Sequence, residues 1–175
     1  MKKQLLILII YVAISYSGEL RKNLINIGVT FDNITTTNDS LKTRTDEIKP
    51  GLTFSYDRLL RNMFISLGTE FSLFKSEFDG FYELWDLLRI GFHPMGLKKS
   101  ESSSKFTVDP YLLYSPFSMQ FKSVTYGHDE RVGGSHGIFG GARLFFNKNI
   151  GIFTEVGGYI STSSFEGSLG LSIGF

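Results

Sequence analysis

The sequence predicts an all-β fold, an eight-stranded antiparallel up-and-down β-barrel of the transmembrane kind. Three observations predict it. Short segments in which large apolar residues alternate with small or polar ones recur eight times along the 175 residues. The composition is rich in residues that suit strands and turns, with 17 Phe and 19 Gly against four Pro and one Trp. The residues opposite the apolar ones are mostly Gly, Ser and Thr, with about one charged residue per strand, which is not the Lys- and Glu-crowded face of a water-soluble sheet.

Residues 1–17 read as a secretory signal segment and residues 18–175 as a single barrel domain. Lys2 and Lys3 precede an apolar run from Leu5 to Ile14, and the small residues Ser15, Ser17 and Gly18 follow it. Ten helical residues rise only about 15 Å, half of a hydrocarbon core, so the run is too short for a spanning helix. No other stretch approaches the length of a transmembrane helix, which leaves strands as the way to cross a membrane.

The strands follow in order, because side chains alternate across a strand with period two. Strand 23–33 sets Ile25, Ile27, Val29 and Phe31 against Asn26, Gly28 and Thr30. Strand 48–58 sets Leu52, Phe54 and Tyr56 against Thr53, Ser55 and Asp57. Strand 62–75 sets Ile65, Leu67, Phe71 and Leu73 against Ser66, Gly68, Glu70 and Ser72. Strand 82–94 sets Leu88, Ile90 and Phe92 against Arg89, Gly91 and His93. Strand 105–117 has an ambiguous register. In 136–147 and 149–161, Ile138, Ala142, Leu144, Phe146, Ile150, Ile152, Val156 and Ile160 oppose Gly141, Arg143, Gly151, Glu155 and Gly157. Strand 164–175 closes the chain with Phe165, Leu169, Leu171, Ile173 and Phe175 against Ser164, Glu166, Ser168, Gly170 and Ser172. The connections 33–47 and 118–135 read as long polar loops, and the others are shorter. Neighbouring strands therefore pair as a meander, and closure removes the exposed edges.

Which face points inward follows from size. An eight-stranded barrel is only just wide enough for side chains, so small residues suit its interior and the large apolar face would overfill it. The apolar face is expected to meet lipid. Phe31, Phe74, Phe92, Phe146, Phe165 and Phe175 fall near strand ends, where an interfacial girdle lies. The opposite orientation describes a soluble lipid-binding barrel, the alternative that keeps the same strands.

The charged residues on the inward face are the candidate site. Glu70, Arg89, Arg143, Glu155 and Glu166, with Asp109 where the register is ambiguous, are expected to form a luminal ion-pair network, because an unpaired charge in a narrow lumen is costly. Such a network plugs the barrel, or gates a narrow pore for small solutes.

Other constellations carry little. His128, Asp129, Glu130 and His136 match no metal-ligand spacing. Ser135 and His136 are sequence neighbours, so on a strand they point to opposite faces and are poorly placed for proton transfer. "GGSHGIFGG" lacks the Lys and Ser/Thr of a phosphate loop, and Gly140 and Gly141 read instead as places of close approach or a kink. No enzyme, catalytic residue, cofactor or metal is expected. The balanced charge, +1, speaks against a nucleic-acid partner, and the absence of Cys excludes disulfides and thiolate metal sites.

The stretch "GGARLFFNKNIGIFTEVGGY" followed by "GSLGLSIGF" resembles the small bacterial outer-membrane β-barrels, of the kind in the transmembrane domain of outer-membrane protein A and its single-domain relatives. The resemblance rests on Gly140, Gly141, Asn147, Asn149, Glu155, Gly158, Tyr159 and Phe175 and covers the last stretch of the chain in detail. It implies a location in the bacterial outer membrane with lipid as the partner of the apolar face. It also implies that Leu169, Leu171, Ile173 and Phe175 form a signal read by the barrel-assembly machinery. With both chain ends in the periplasm, 33–47 and 118–135 face outside as possible contact sites for a surface ligand. The role implied is structural or surface-interacting, carried by a monomer.

Overall fold

Strands dominate the computed structural model, which describes residues 22–38, 43–60, 64–76, 80–95, 106–124, 129–147, 149–160 and 164–175. The expected signal segment 1–17 lies outside the described residues. Strands β1 (Asn23–Asn38), β2 (Thr43–Leu59), β3 (Ile65–Ser76), β4 (Gly80–Phe92), β5 (Thr107–Val124), β6 (Asp129–Phe145), β7 (Ile150–Tyr159) and β8 (Ser164–Gly174) run in chain order. Each pairs antiparallel with its neighbours in sequence, and β8 returns to β1 to close the barrel. The seam runs from Leu24 opposite Gly174 to Asp32 opposite Glu166.

One end of the barrel carries the described chain ends, and the other carries the hairpins β1–β2, β3–β4, β5–β6 and β7–β8. The seam is tied at the terminus end by backbone bonds. The Phe175 carbonyl accepts from the N–H of Lys22 at 3.1 Å and of Asn23 at 2.9 Å, and the Phe175 N–H donates to the Asn23 carbonyl at 2.9 Å. Gly28 and Gly170 face each other across the seam, and a Cβ on Gly28 would lie 3.0 Å from the Gly170 Cα, so the close approach of the two backbones requires glycine there.

The faces divide as their residue sizes demand. Leu52, Leu112, Phe117, Val156, Leu169 and Leu171 are exposed on the outside, while Asn26, Thr30, Ser55, Ser72, Arg89 and Arg143 are buried inside. A soluble lipid-binding barrel would turn the first set inward. The outward orientation leaves a broad apolar belt whose natural solvent is lipid.

Four expectations are corrected. The connection 33–47 is largely strand: β1 continues to Asn38 and β2 begins at Thr43, paired from Asn33 opposite Ile48 to Asn38 opposite Thr43. Polarity suggested a loop, but Ile34 and the Thr run after it are β-branched residues that favour a strand. The segment 118–135 is likewise mostly ladder, since β5 reaches Val124 and β6 starts at Asp129. Register shifts between Ser115 and Ser118 and between Met119 and Phe121 break the alternation that would have revealed it. Phe74 does not join a girdle. It is fully buried in the lumen, on the face of Glu70 and Ser72. Finally, the interior is not lined by small residues alone. Phe74, Leu84, Tyr111, Leu113, Phe139 and Tyr159 form one buried apolar cluster, and Leu24, Leu59 and Phe145 form another at the terminus end.

Candidate functional site

The polar interior is built in two levels around two arginines. The level near the terminus end centres on Arg143, which β6 delivers two residues before its end by alternation with Phe145. Its Nη2 donates to Asp57 Oδ2 of β2 at 2.6 Å, its Nη1 to Asp109 Oδ2 of β5 at 3.1 Å, and its Nε to Asn26 Oδ1 of β1 at 3.3 Å. Asn26 Nδ2 donates to Ser55 Oγ at 2.8 Å. Strands β1, β2 and β5 are thus clamped to β6 by one planar donor fork.

His93 extends this level. Its Nδ1 lies 2.9 Å from Asp109 Oδ1 and its Nε2 lies 3.0 Å from Ser66 Oγ. A carboxylate only accepts, so Nδ1 is the donor, and Nε2 shares a hydrogen bond with the Ser66 hydroxyl. The order Ser, His, Asp is that of a hydrolase triad. Here, however, all three side chains are buried, with 0% of each residue exposed, and Asp109 is also drawn into the Arg143 pair. The arrangement positions groups within a packed interior and presents no hydroxyl to a substrate.

The second level centres on Arg89 of β4, which pairs with Glu70 of β3 and Glu155 of β7. Tyr111 of β5 joins the two levels. Its hydroxyl donates to Glu155 Oε2 at 3.0 Å, while its ring lies 4.1 Å from the Arg143 guanidinium carbon. Gly141 makes room for that ring, since a Cβ there would lie 2.5 Å from Tyr111 Cζ and 2.6 Å from the Thr154 carbonyl. Close approach is therefore the role of Gly141; Gly140 has open space, with Leu112 the nearest group at 3.5 Å.

Toward the hairpin end the arginines give out and carboxylates remain. The Tyr159 hydroxyl lies 3.2 and 3.3 Å from the two oxygens of Asp86 and 3.4 Å from Glu166 Oε2. Thr30 Oγ1 donates to Glu166 Oε1 at 2.7 Å, and Ser168 Oγ donates to Thr30 at 3.0 Å. Among the described buried residues, Asp32, Asp57, Glu70, Asp86, Asp109, Glu155 and Glu166 stand against Lys49, Arg89, Arg143 and the imidazole of His93. The interior is acidic.

The five inward residues named from sequence, Glu70, Arg89, Arg143, Glu155 and Glu166, all face the lumen and are buried. The structure brings Glu70, Arg89 and Glu155 together. Arg143 pairs instead with Asp57 and Asp109, and Glu166 meets hydroxyls rather than an arginine. Sequence reasoning missed Asp86, because the ladder of β4 shifts register between Asp86 and Leu88 and again before Ile90, so Asp86 and Arg89 both point inward despite opposite parity. It also left out Tyr111 and Tyr159, large residues whose alternation with outward Leu112 and Ile160 was the available signal. On β8, Leu169 and Leu171 face outward, and Phe175 forms the backbone bonds of the seam. His128 and the side chains of Asp129 and Glu130 lie outside the described residues, and among the described ones no group of three His, Asp or Glu is arranged to hold a metal.

A closed ladder of eight strands, a lipid-type exterior and a packed polar interior define the class as the small membrane β-barrels. No protein-family model and no curated protein matches the sequence. Among solved structures, the chain is similar to the N-terminal β-barrel domain of Pseudomonas aeruginosa OprF, with 11% identity and a TM-score of 0.54 over 90% of this chain and 100% of that one. It is similar to Neisserial surface protein A, with 15% identity and a TM-score of 0.54 over 90% and 100%. Ail, the attachment invasion locus protein of Yersinia pestis, matches at 15% identity and a TM-score of 0.52 over 87% and 97%. At these identities the likeness is one of fold, and the fold is that of the small bacterial outer-membrane barrels.

Proposed function

We propose that the protein is an integral bacterial outer-membrane barrel with a structural or surface-contact role, whose contact sites are the β1–β2 and β5–β6 hairpins. The observation that carries this reading is the unequal height of the hairpins above one sealed tube. β1 and β2 have 16 and 17 residues and β5 and β6 have 18 and 17, against 10 and 11 in β7 and β8. The ladder between β1 and β8 stops at Asp32, and that between β6 and β7 stops at Gly137, so the two long hairpins rise above β8 and β7, while β5 stays paired with β4 up to Val124 opposite Gly80. Rigid barrels commonly display such projections for binding. The chain ends then lie in the periplasm, the barrel is a monomer, and Leu169, Leu171, Ile173 and Phe175 serve barrel assembly. Two of the similar structures carry names that speak of a surface protein and of attachment and invasion, which supports the surface reading.

The test is to trim both hairpins, replacing residues 35–46 and 121–131 with short Gly-Ser turns, and to follow membrane fractionation, heat-modifiable gel mobility and cell-surface binding. The trimmed barrel should still insert, and binding should fall. Unchanged binding would remove the hairpins as contact sites.

A second reading, a narrow pore for small solutes, is favoured by the charged interior alone. The Arg143 and Arg89 pairs fill that interior and act as a plug in our reading. Current recordings in planar bilayers of wild type and Arg143→Ala decide, and silence from both removes the pore.

A further inference from the structure

We propose that the terminus end of the barrel is a basic rim that selects anionic phospholipid headgroups. The inference rests on the membrane reading of the outer face and adds which lipids this end prefers. Lys22, just before β1, and Arg58, one residue before the end of β2, are exposed there. The described acids at this end, Asp57 and Asp109, are fully buried and held by Arg143. Three connections leave and return here, bracketed by Leu60 and Phe64, by Met95 and Phe106, and by Asn147 and Asn149. In sequence they carry Arg61, Lys98, Lys99, Lys105 and Lys148 against Glu101 alone.

The opposite end has no such bias. The β1–β2 hairpin sets Lys42 and Arg44 against Asp39, Asp46 and Glu47 in sequence, and the β5–β6 hairpin sets Lys122 and Arg131 against Asp129 and Glu130. The whole chain is formally +1 and its interior is acidic, so positive charge is concentrated at one rim.

A basic rim attracts any polyanion, and the residues beside it choose a membrane surface. Leu60, Phe64, Met95, Phe106 and Phe146 are exposed at the same end, continuous with the apolar belt. Phe106 and Phe146 meet edge to face, with ring centroids 6.3 Å apart, which joins the flanks of two connections. Aromatic residues at the ends of a membrane barrel mark the headgroup level. The bases follow these anchors closely in the chain: Arg61 comes after Leu60, Lys105 precedes Phe106, and Lys148 lies two residues beyond Phe146. Long cationic side chains at that level lay their stems on apolar surface and reach the polar layer with the charge. Several such bases add their attraction to an anionic lipid surface, within a screening length of it.

The experiment reconstitutes the whole barrel in phosphatidylcholine vesicles with a trace of spin-labelled phosphatidylglycerol or phosphatidylcholine, and compares how much of each label the protein restricts. Wild type should restrict the phosphatidylglycerol label several-fold more at low salt. The preference should fade at about 1 M NaCl, where the screening length is about 3 Å. Arg61→Gln, Lys98→Gln, Lys99→Gln, Lys105→Gln and Lys148→Gln together should remove it, with heat-modifiable gel mobility showing that the variant is folded. Lys42→Gln with Arg44→Gln, at the other end, should leave it intact. Equal restriction of the two labels by wild type, a preference indifferent to salt, or one kept by the rim variant would overturn the proposal and leave the membrane reading standing. No restricted lipid of either kind would sink both. Co-sedimentation of the detergent-solubilised barrel with peptidoglycan sacculi, together with equal restriction of the labels, would assign the rim to that polymer instead.

Discussion

The Arg143 guanidinium lies over the Tyr111 ring, 4.1 Å from its centroid, while the same guanidinium donates to Asp57 and Asp109. One side chain thereby joins the β6 wall to strands β2 and β5 and to the level above. Removing it should expose how much of the barrel's stability runs through a single cation.

Arg143→Met keeps much of the volume and deletes the charge. It leaves Asp57 and Asp109 buried without their shared partner, and breaking a buried pair this way costs about 3–5 kcal/mol. Urea unfolding read by heat-modifiable mobility should show that loss. Adding Asp57→Asn and Asp109→Asn to Arg143→Met should recover a large part of it, because the orphaned charges are gone. If the triple variant is as unstable as the single one, the ion pairs are not the origin of the effect.

Tyr111 offers two separable contributions. Tyr111→Phe removes the bond to Glu155 and keeps the ring under Arg143, and a net loss of about 1 kcal/mol is expected. Tyr111→Leu also removes the ring, adding about 0.5–2 kcal/mol for the cation–π contact. Thermal melts of the two variants should rank wild type, then Phe, then Leu.

Gly141→Ala tests packing from the opposite side. The new Cβ would meet the Tyr111 ring and the Thr154 carbonyl, and overpacking of this kind costs about 1–3 kcal/mol. Shrinking the aromatic with Tyr111→Leu should rescue only part, since the backbone contact to Thr154 remains. Full rescue would show that the ring alone sets the requirement for glycine.

Phe74 and Phe165 separate the inside of the barrel from its outside. Phe74→Ala should cost about 3–5 kcal/mol, the loss expected when a buried aromatic leaves a cavity. Phe165→Ala, on a residue 60% exposed on the outer face, should cost clearly less in the same equilibrium unfolding assay. Equal losses would contradict the inward placement of Phe74.

Depth along the outer face should be legible in the same way. Val156 lies midway along β7, opposite Gly140 and Gly167 in the ladder, whereas Ile160 sits beside the β7–β8 turn. Val156→Arg should cost about 2–4 kcal/mol and Ile160→Arg about 0–1 kcal/mol in lipid vesicles, following the depth dependence of charge on a barrel exterior. A flat profile would mean that this face does not meet hydrocarbon.

The sequence made the strands and their outward face legible because burial against lipid writes a period of two into every strand. Ile27, Val29 and Phe31 against Asn26 and Thr30 needed no tertiary knowledge. Legibility stopped wherever the period breaks. Asp86 sits across a ladder shift from Arg89, and parity counted from Arg89 turns it to the wrong side. The run from Ile34 to Thr37 lacks alternation, so its strand character came only from β-branching. Pairing within the lumen was less legible still. Asp57 and Arg143 are 86 positions apart in the chain, and only the stagger of the strands brings their side chains together.

The seam between β1 and β8 has a consequence for how the molecule can be cut and rejoined. Asn23 and Phe175, separated by 152 positions, are hydrogen-bonded neighbours. Until the final residues are in place, the ribbon is an open sheet with two sticky margins and no sealed bore, so shortening its tail by one strand should prevent a finished cylinder altogether. Equally, a short splice from Phe175 to Lys22 in a version of residues 22–175, with fresh ends opened in the turn between β6 and β7, should yield a permuted cylinder with the same walls.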